Sequence, residues 1–402
     1  MSTGRELPGE TDVLVVGGGI VGTAAAYFLA AGSDRGVTLV ERDGIAAGST
    51  GDSSAILRHH YGPDAVYTRM AAWSHRFYRE FEAETGQPLA RADSPLVRFA
   101  AEGTGSADYV EAGERVLREE GLPVSRYEAD ELGEQYPMYD GEVLDRFDFA
   151  ISDDSAGYSD GTDAAGGFAR AAAEAGATVV TGVGVESLLA EDGRVVGAGT
   201  TEGPIECEAV VVAAGPWTPE LAETVGVEVP ITPTREQVVV LEPPEDYVER
   251  YPDRTPTTSM PGGEWYLRPD FGGGVLVATH HYSEAVDPDD YDEDPDESTL
   301  LELTDVVAES IPELAEAGIR GRYCGVYSVT PDHDFVIDEV GPEGCYLACG
   351  FSGHGFKHGP AVGRIVRDLV VDGGTDLVDA DYFSLSRFDE DPEGHGLPAD
   401  SV

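Results

Sequence analysis

The sequence predicts a mixed fold, α/β plus α+β, in which a domain wound around a parallel sheet is interleaved with an antiparallel β-rich domain. Three observations predict it. Residues 12–16 (DVLVV) form the continuous apolar run of a strand buried on both faces, and a glycine turn, an alanine-rich helix and the strand 37–41 (VTLVE) come next. A strand–glycine–helix order returns at 345–371 (CYLACGFSGHGFKHGPAVGRIVRDLVV). Between them, residues 229–330 carry long alternating segments suited to an antiparallel sheet.

Along the chain, the first helix runs to about Ala31. A second, from about Asp64 to Glu82, is predicted by Val66, Met70, Trp73, Phe77 and Phe81 at three- and four-residue steps. Residues 107–135 read as two further short helices. A helix from about Gly161 leads into a strand at 177–180. The alternating strands VGVESLLA and RVVGAGT are joined by Glu191-Asp192-Gly193, a good hairpin turn. Residues 209–214 (AVVVAA) form another buried strand, ended by Gly215-Pro216-Trp217. TREQVVVLE, EWYLRPD and GGVLVATHHY supply the antiparallel sheet, and DPDDYDEDPDE at 287–297 reads as a solvated acidic loop. With no repeat and no flexible linker, the expected division is a nucleotide-binding domain of residues 1–80, 145–225 and 326–402, and a substrate-binding domain of residues 81–144 and 226–325.

Length and composition narrow the function. The chain has 402 residues, 41% of them hydrophobic and 25% charged, which suits a globular protein with a sizeable core. Its balance of 25 basic against 77 acidic residues gives a net charge of −52. Such a surface repels phosphate backbones and anionic lipid, which argues against nucleic acid and against a basic membrane anchor. The acids are spread along the chain, where they self-repel unless salt screens them; at ~1 M salt the Debye length is only ~3 Å. They predict a cytoplasmic protein adapted to high salt. No apolar run reaches the length of a membrane span, and MSTGRELPGETD lacks the apolar core of a signal peptide. Cys207, Cys324, Cys345 and Cys349 form no CxxC pair and suit a reducing interior. Lys357 is the only lysine.

The turn Gly17-Gly18-Gly19-Ile20-Val21-Gly22 carries the GxGxxG pattern in the context that gives it meaning: after a buried strand, opening a helix, with Glu41 at the end of the next strand. The glycines let backbone approach a pyrophosphate at the helix N-terminus, and Glu41 accepts hydrogen bonds from ribose hydroxyls while repelling a 2′-phosphate. This Rossmann-like fingerprint predicts a dinucleotide but does not separate NAD from FAD.

Four segments downstream of it make that separation. Glu41-Arg42, Gly48-Ser49-Thr50, AVVVAAGPW and GFSGHGFK resemble the FAD-dependent amino-acid oxidoreductases of the D-amino-acid-oxidase superfamily, most closely the monomeric sarcosine oxidase group. The resemblance spans residues 11 to about 372 and is strongest at 11–62 and 327–370. It implies FAD, with Gly17, Gly19, Ile20, Val21, Gly22, Glu41 and Arg42 around the ADP half. Ser49 and Thr50 fall near the pyrophosphate, a simple helix cap being the alternative for both. Val185 meets the adenine through its backbone, and Gly215 and Trp217 lie in the second flavin motif. Gly350, Ser352, Gly353, His354, Gly355, Phe356 and Lys357 border the isoalloxazine ring.

The resemblance also implies a substrate end. Arg58, in GDSSAILRHHYG, and Lys357 correspond to the cations that hold a substrate carboxylate. For Lys357 the composition adds that a chain using arginine everywhere else keeps one lysine here, where a planar guanidinium is no substitute for a compact ammonium. Tyr327 matches a tyrosine lining the substrate cavity, and His281 a histidine near it. A metal at His280-His281 is disfavoured, because neighbours on a strand point to opposite faces. His59, His60 and His354 are either close to the ring or structural, and His333 and His358 carry no assignment.

Departures from the pattern matter as much. The position through which the group attaches its flavin is Gly325 here, with Cys324 one residue earlier and so on the other face of a strand, which predicts non-covalent FAD. A histidine and a second arginine of the group's substrate loop correspond to Gly51 and Ala55, so the pocket is expected to take a different or larger amine than sarcosine. The oxidases' second lysine, over the flavin face, falls on Val277, which predicts a dehydrogenase passing electrons to an electron-transfer flavoprotein or a quinone. The implied reaction is hydride transfer from the CH–NH carbon of an amino acid or N-methyl amino acid to flavin N5, followed by hydrolysis of the imine. The alternatives are a 2-hydroxyacid dehydrogenase on the same fold and a flavoprotein subunit of a larger complex.

Overall fold

A computed structural model describes residues 6–251, 255–260, 265–279 and 285–390. The first sheet has a parallel centre. Thr178–Thr181, Val37–Glu41, Glu10–Val16, Gly203–Val212 and Cys345–Cys349 lie side by side in that order, and Val336–Glu339 closes the far edge antiparallel. The hairpin Val185–Glu191 and Arg194–Thr200 extends from the first half of Gly203–Val212, turning at Asp192 and Gly193, both with positive φ. The apolar run of the first strand is explained by cover on both faces. Val13 and Val15 pack with the helices Ile20–Gly32, Gly161–Glu174 and Gly359–Asp372, while Leu14 and Val16 join Val40, Val180, Val210 and Val212 on the other side.

The second sheet also has eight strands, in the order Gly318–Val329, Thr232–Glu242, Val275–Ala278, Tyr266–Pro269, Thr257–Ser259, Leu96–Ala100, Phe149–Asp153 and Val124–Glu128. Every pairing is antiparallel except Thr257–Ser259 with Leu96–Ala100. Strand periodicity splits its residues. Val239, Leu241, Leu267, Val275 and Val277 face the helix Glu297–Ser310 in one core, whereas Val238, Tyr266, Leu276 and Ala278 face the other way, toward the first sheet's cavity.

Several expectations are revised. The helix predicted to Glu82 breaks at Glu80, whose N–H is shared by the carbonyls of Arg76 and Phe77, so Ala65–Arg79 and Phe81–Thr85 are separate helices. The span 107–135 holds the two expected helices, but the first is not short and a strand parts them. Gly105–Glu119 is a 15-residue helix started by the Thr104 side chain, and Ala129–Gln135 comes after the half-exposed edge strand Val124–Glu128. The acidic run is only partly a solvated loop. It folds around Arg235, whose Nε donates to the Asp292 carbonyl at 2.7 Å and whose Nη1 lies 3.2 Å from Asp296. Among the described residues no helix is long and apolar enough to cross a membrane.

Candidate functional site

A cavity of about 360 Å³ opens at the C-terminal ends of the first sheet's central strands. Its floor is the first turn. A side chain at Gly17, where φ is +111°, would meet the Ala213 carbonyl oxygen at 2.3 Å, and one at Gly22 would stand 2.0 Å from the Gly17 carbonyl oxygen. These two glycines let strand, turn and helix close up. Glu41 accepts from the Gly18 N–H at 2.6 Å and from the Asp43 N–H at 2.8 Å, which fixes its carboxylate beside the turn. Arg42 lies 3.9 Å over the Trp217 ring and pairs with Asp289 at 2.7 Å, and the buried Trp217 indole N–H has no partner among the described residues.

Most of the residues predicted for a dinucleotide line this one cavity: Gly17, Gly19, Ile20, Val21, Glu41, Arg42, Ser49, Thr50, Val185, Gly215, Trp217, Ser352, Gly353, Gly355 and Phe356. Gly22 and Gly350 do not reach it; a side chain at Gly350 would strike Thr330 at 2.5 Å, so both act in packing. Thr50 takes the capping role as well, accepting from the Ile20 N–H at 3.0 Å, and Ser49 donates to the Val326 carbonyl at 2.6 Å, tying the loop to the second sheet. An acid at the end of the second strand, a glycine turn against a helix N-terminus and an orphaned indole donor are a lining that fits FAD.

A smaller extension of about 30 Å³ continues the cavity past Ser54, Tyr266, Tyr327 and Gly353. Gly353 is needed here, because a Cβ would sit 2.3 Å from the Tyr327 ring. The extension brings together Arg58, Tyr327, His354 and Lys357, and adds Arg98, which sequence reasoning passes over. Arg58 donates to the His60 carbonyl and lies 4.2 Å over the Tyr61 ring. Lys357 sits on the short turn Phe356–His358, and its ammonium is held well below the ordinary lysine range by burial, then by Arg58 and Arg98.

The histidines divide. His60 bonds the Val110 carbonyl at 3.3 Å, and burial, then Arg98 and Arg58, push it down to about 3. His354 bonds the His333 carbonyl at 3.2 Å and packs against Phe335, and burial, then Lys357, holds it well below the imidazole range. His59 gives its ring and its backbone N–H to Asp153 and lies 2.9 Å from His75, anchoring the loop that carries Arg58. His280 and His281 lie outside the described residues.

Two positions bear on flavin attachment and oxygen. Gly325 lines the cavity beside Asp52, while buried Cys324 lies next to Arg235. Val277 does not face the cavity at all. It packs under the helix Glu297–Ser310, and the cavity side of that strand belongs to Leu276 and Ala278. Arg98 has a signal in the sequence, a lone charge inside the apolar run LVRFA, whereas Asp52 and Tyr266 have none.

Comparison with known proteins gives the family and the fold. The profile of the DAO family, described as FAD dependent oxidoreductase, matches residues 12–369. Monomeric sarcosine oxidase of Arthrobacter sp. (strain TE1826) is 30% identical over 392 residues, covering 94% of this chain and 96% of that protein. N-methyl-L-tryptophan oxidase of Yersinia pestis (strain Pestoides F) is 26% identical, covering 94% and 100%. The crystal structure of L-proline dehydrogenase from P. horikoshii superposes with a TM-score of 0.85 at 26% identity, over 96% of this chain and 99% of that one.

Proposed function

The chain belongs to the DAO family of FAD-dependent oxidoreductases, and on that premise we propose that it oxidises the CH–NH bond of an amino acid or N-methyl amino acid. The observation that carries the reading is the buried pair Arg58 and Lys357, opening past Tyr327 and Gly353 into a cavity built for a dinucleotide. Bound FAD supplies the two-electron acceptor. The protein's part is orientation. Arg58 and Lys357 hold the substrate carboxylate, and Tyr327 walls the reacting carbon toward the cavity. No strong base is required when the amine binds in its neutral form. Water then hydrolyses the imine.

In the same reading, residues 1–80, 145–225 and 326–402 mainly serve the cofactor, though they also supply Arg58, Tyr327 and Lys357 to the substrate end and Phe149–Asp153 to the second sheet, and 81–144 with 226–325 serve the substrate. FAD is held without a covalent bond, supported by the glycine at 325 and by Cys324 lying against Arg235. Electrons leave to a carrier such as an electron-transfer flavoprotein or a quinone, supported by a chain whose single lysine is engaged at the carboxylate. The net charge and four free, buried cysteines support a salt-adapted cytoplasmic protein. The test is anaerobic bleaching of the flavin by sarcosine, dimethylglycine, proline, glycine and D-amino acids. Bleaching by one or more amino acids is expected; bleaching by 2-hydroxyacids alone would overturn the proposal.

A further inference from the structure

Six arginine and lysine side chains are buried among the described residues: Arg58, Arg98, Arg235, Arg268, Arg387 and Lys357. Three follow the ordinary rule for a buried charge. Arg235 pairs with Asp296, Arg268 with Asp270 at 2.9 Å, and Arg387 with Asp332 at 2.7 Å. The other three do not, and all three line the extension. Arg58, Arg98 and Lys357 are 5%, 8% and 8% exposed, and none has a carboxylate partner among the described residues. The buried Arg98 Nε has no hydrogen-bond partner among them either, and its guanidinium lies 5.6 Å over the Tyr109 ring. Two acids about the pocket are committed elsewhere: Asp153 to His59, and Glu236, on the wall of the larger cavity, to the Thr234 hydroxyl at 2.9 Å. In a chain with 77 acidic residues, three cations in one pocket that no described carboxylate pairs call for anions from outside.

One α-carboxylate satisfies Arg58 and Lys357. It leaves Arg98, which reaches the extension from the strand Leu96–Ala100, without a counter-charge. Resting on the reaction proposed above, we infer that the substrate is a compact amino dicarboxylate, its second carboxylate held by Arg98. The extension's volume of about 30 Å³, room for roughly a water or two, favours a second carboxylate only a few bonds from the first. Burial, with Arg58 beside it, lowers the Arg98 guanidinium to about 10, a penalty that a bound anion relieves.

The test compares ligands on the flavin-loaded protein at fixed ionic strength. Malonate and succinate, which cannot be oxidised, are expected to bind about 10- to 100-fold more tightly than acetate and propionate, read as thermal shifts. Arg98→Met should erase that advantage while leaving monocarboxylate binding within about threefold, and Arg98→Lys should restore part of it. N-methylaspartate should bleach the flavin at lower concentration than sarcosine. Equal binding of mono- and dicarboxylates by the unaltered protein, or an advantage surviving Arg98→Met, overturns the inference; the first comparison decides even if the variant fails to fold. If sarcosine bleaches the flavin as readily as N-methylaspartate, the amine reaction stands and this inference fails. If no amino acid bleaches it while the dicarboxylate advantage persists, the two-anion site stands and the reaction is wrong.

Discussion

From Gly17 to Trp217 the larger cavity is walled largely by backbone and small residues, and of its acids Glu41 is clamped to two N–H groups. Beyond Tyr327 the wall changes character. Polar side chains from separate stretches of the chain, Arg58, Arg98, His354 and Lys357, converge in a far smaller volume, and burial depresses the ionisation of the last three. The first region offers shape and fixed dipoles. The second gathers positive charge that no described carboxylate pairs. The difference teaches where each is vulnerable: the cleft to any added atom, the pocket to any lost charge.

The sharpest way to break the contrast is therefore steric. Gly22→Val places carbon where the Gly17 carbonyl oxygen is 2.0 Å from a Cβ, and is expected to cost several kcal/mol and at least ~100-fold in FAD retention. A colourless or insoluble product would match; a yellow, stable protein would show that the turn tolerates the side chain. Lys357→Met acts on the other region. It should leave the flavin in place and lower kcat/KM by about 30- to 1000-fold, as truncation of one member of a buried charged contact does.

Titration sharpens the same point with a smaller effect. Lys357 is held well below the ordinary lysine range by burial and then by Arg58 and Arg98, and a carboxylate binds its protonated form. Substrate affinity should thus be greatest at low pH and fall as pH rises through that lowered value, with the substrate's own carboxylate ionised throughout. Lys357→Arg should remove the inflection. In the cleft, Asp52 is raised to about 6 by burial, then by Glu293. The folded protein therefore binds its proton more tightly than the unfolded chain does. That contribution is complete below pH ~4 and lost as pH rises from ~4 through ~6. It amounts to roughly 1 kcal/mol once solvent screening of a part-buried group is allowed for. Flavin-free Asp52→Asn should show a flatter urea-unfolding profile across that window than the unaltered chain.

The cleft is legible in the sequence because its parts are contiguous: strand, GxGxxG turn, helix and Glu41 occupy residues 10–41, and local periodicity states them directly. The pocket is legible only where resemblance supplies a register. Arg58 and Lys357 come together at the extension, but Val277, on a four-residue strand, lies on the face turned from the cavity, where a period of two makes a single step of register decisive. Arg98 escapes a sequence reading because nothing local ties residue 98 to residue 357; only the parallel pairing of Leu96–Ala100 with Thr257–Ser259 places it at the extension. The helix Glu297–Ser310 escapes it because the acidic run just before draws attention to a loop and away from the apolar positions Leu300, Leu303 and Val307.

That the two regions meet at a single ring edge is tested most directly by titrating the flavin-loaded protein with propionate and following the visible flavin band. A saturable spectral change in the unaltered protein, absent in Lys357→Met at the same ligand concentrations, is the predicted result. A flavin band that does not respond at saturation, or that responds equally in both proteins, would contradict it.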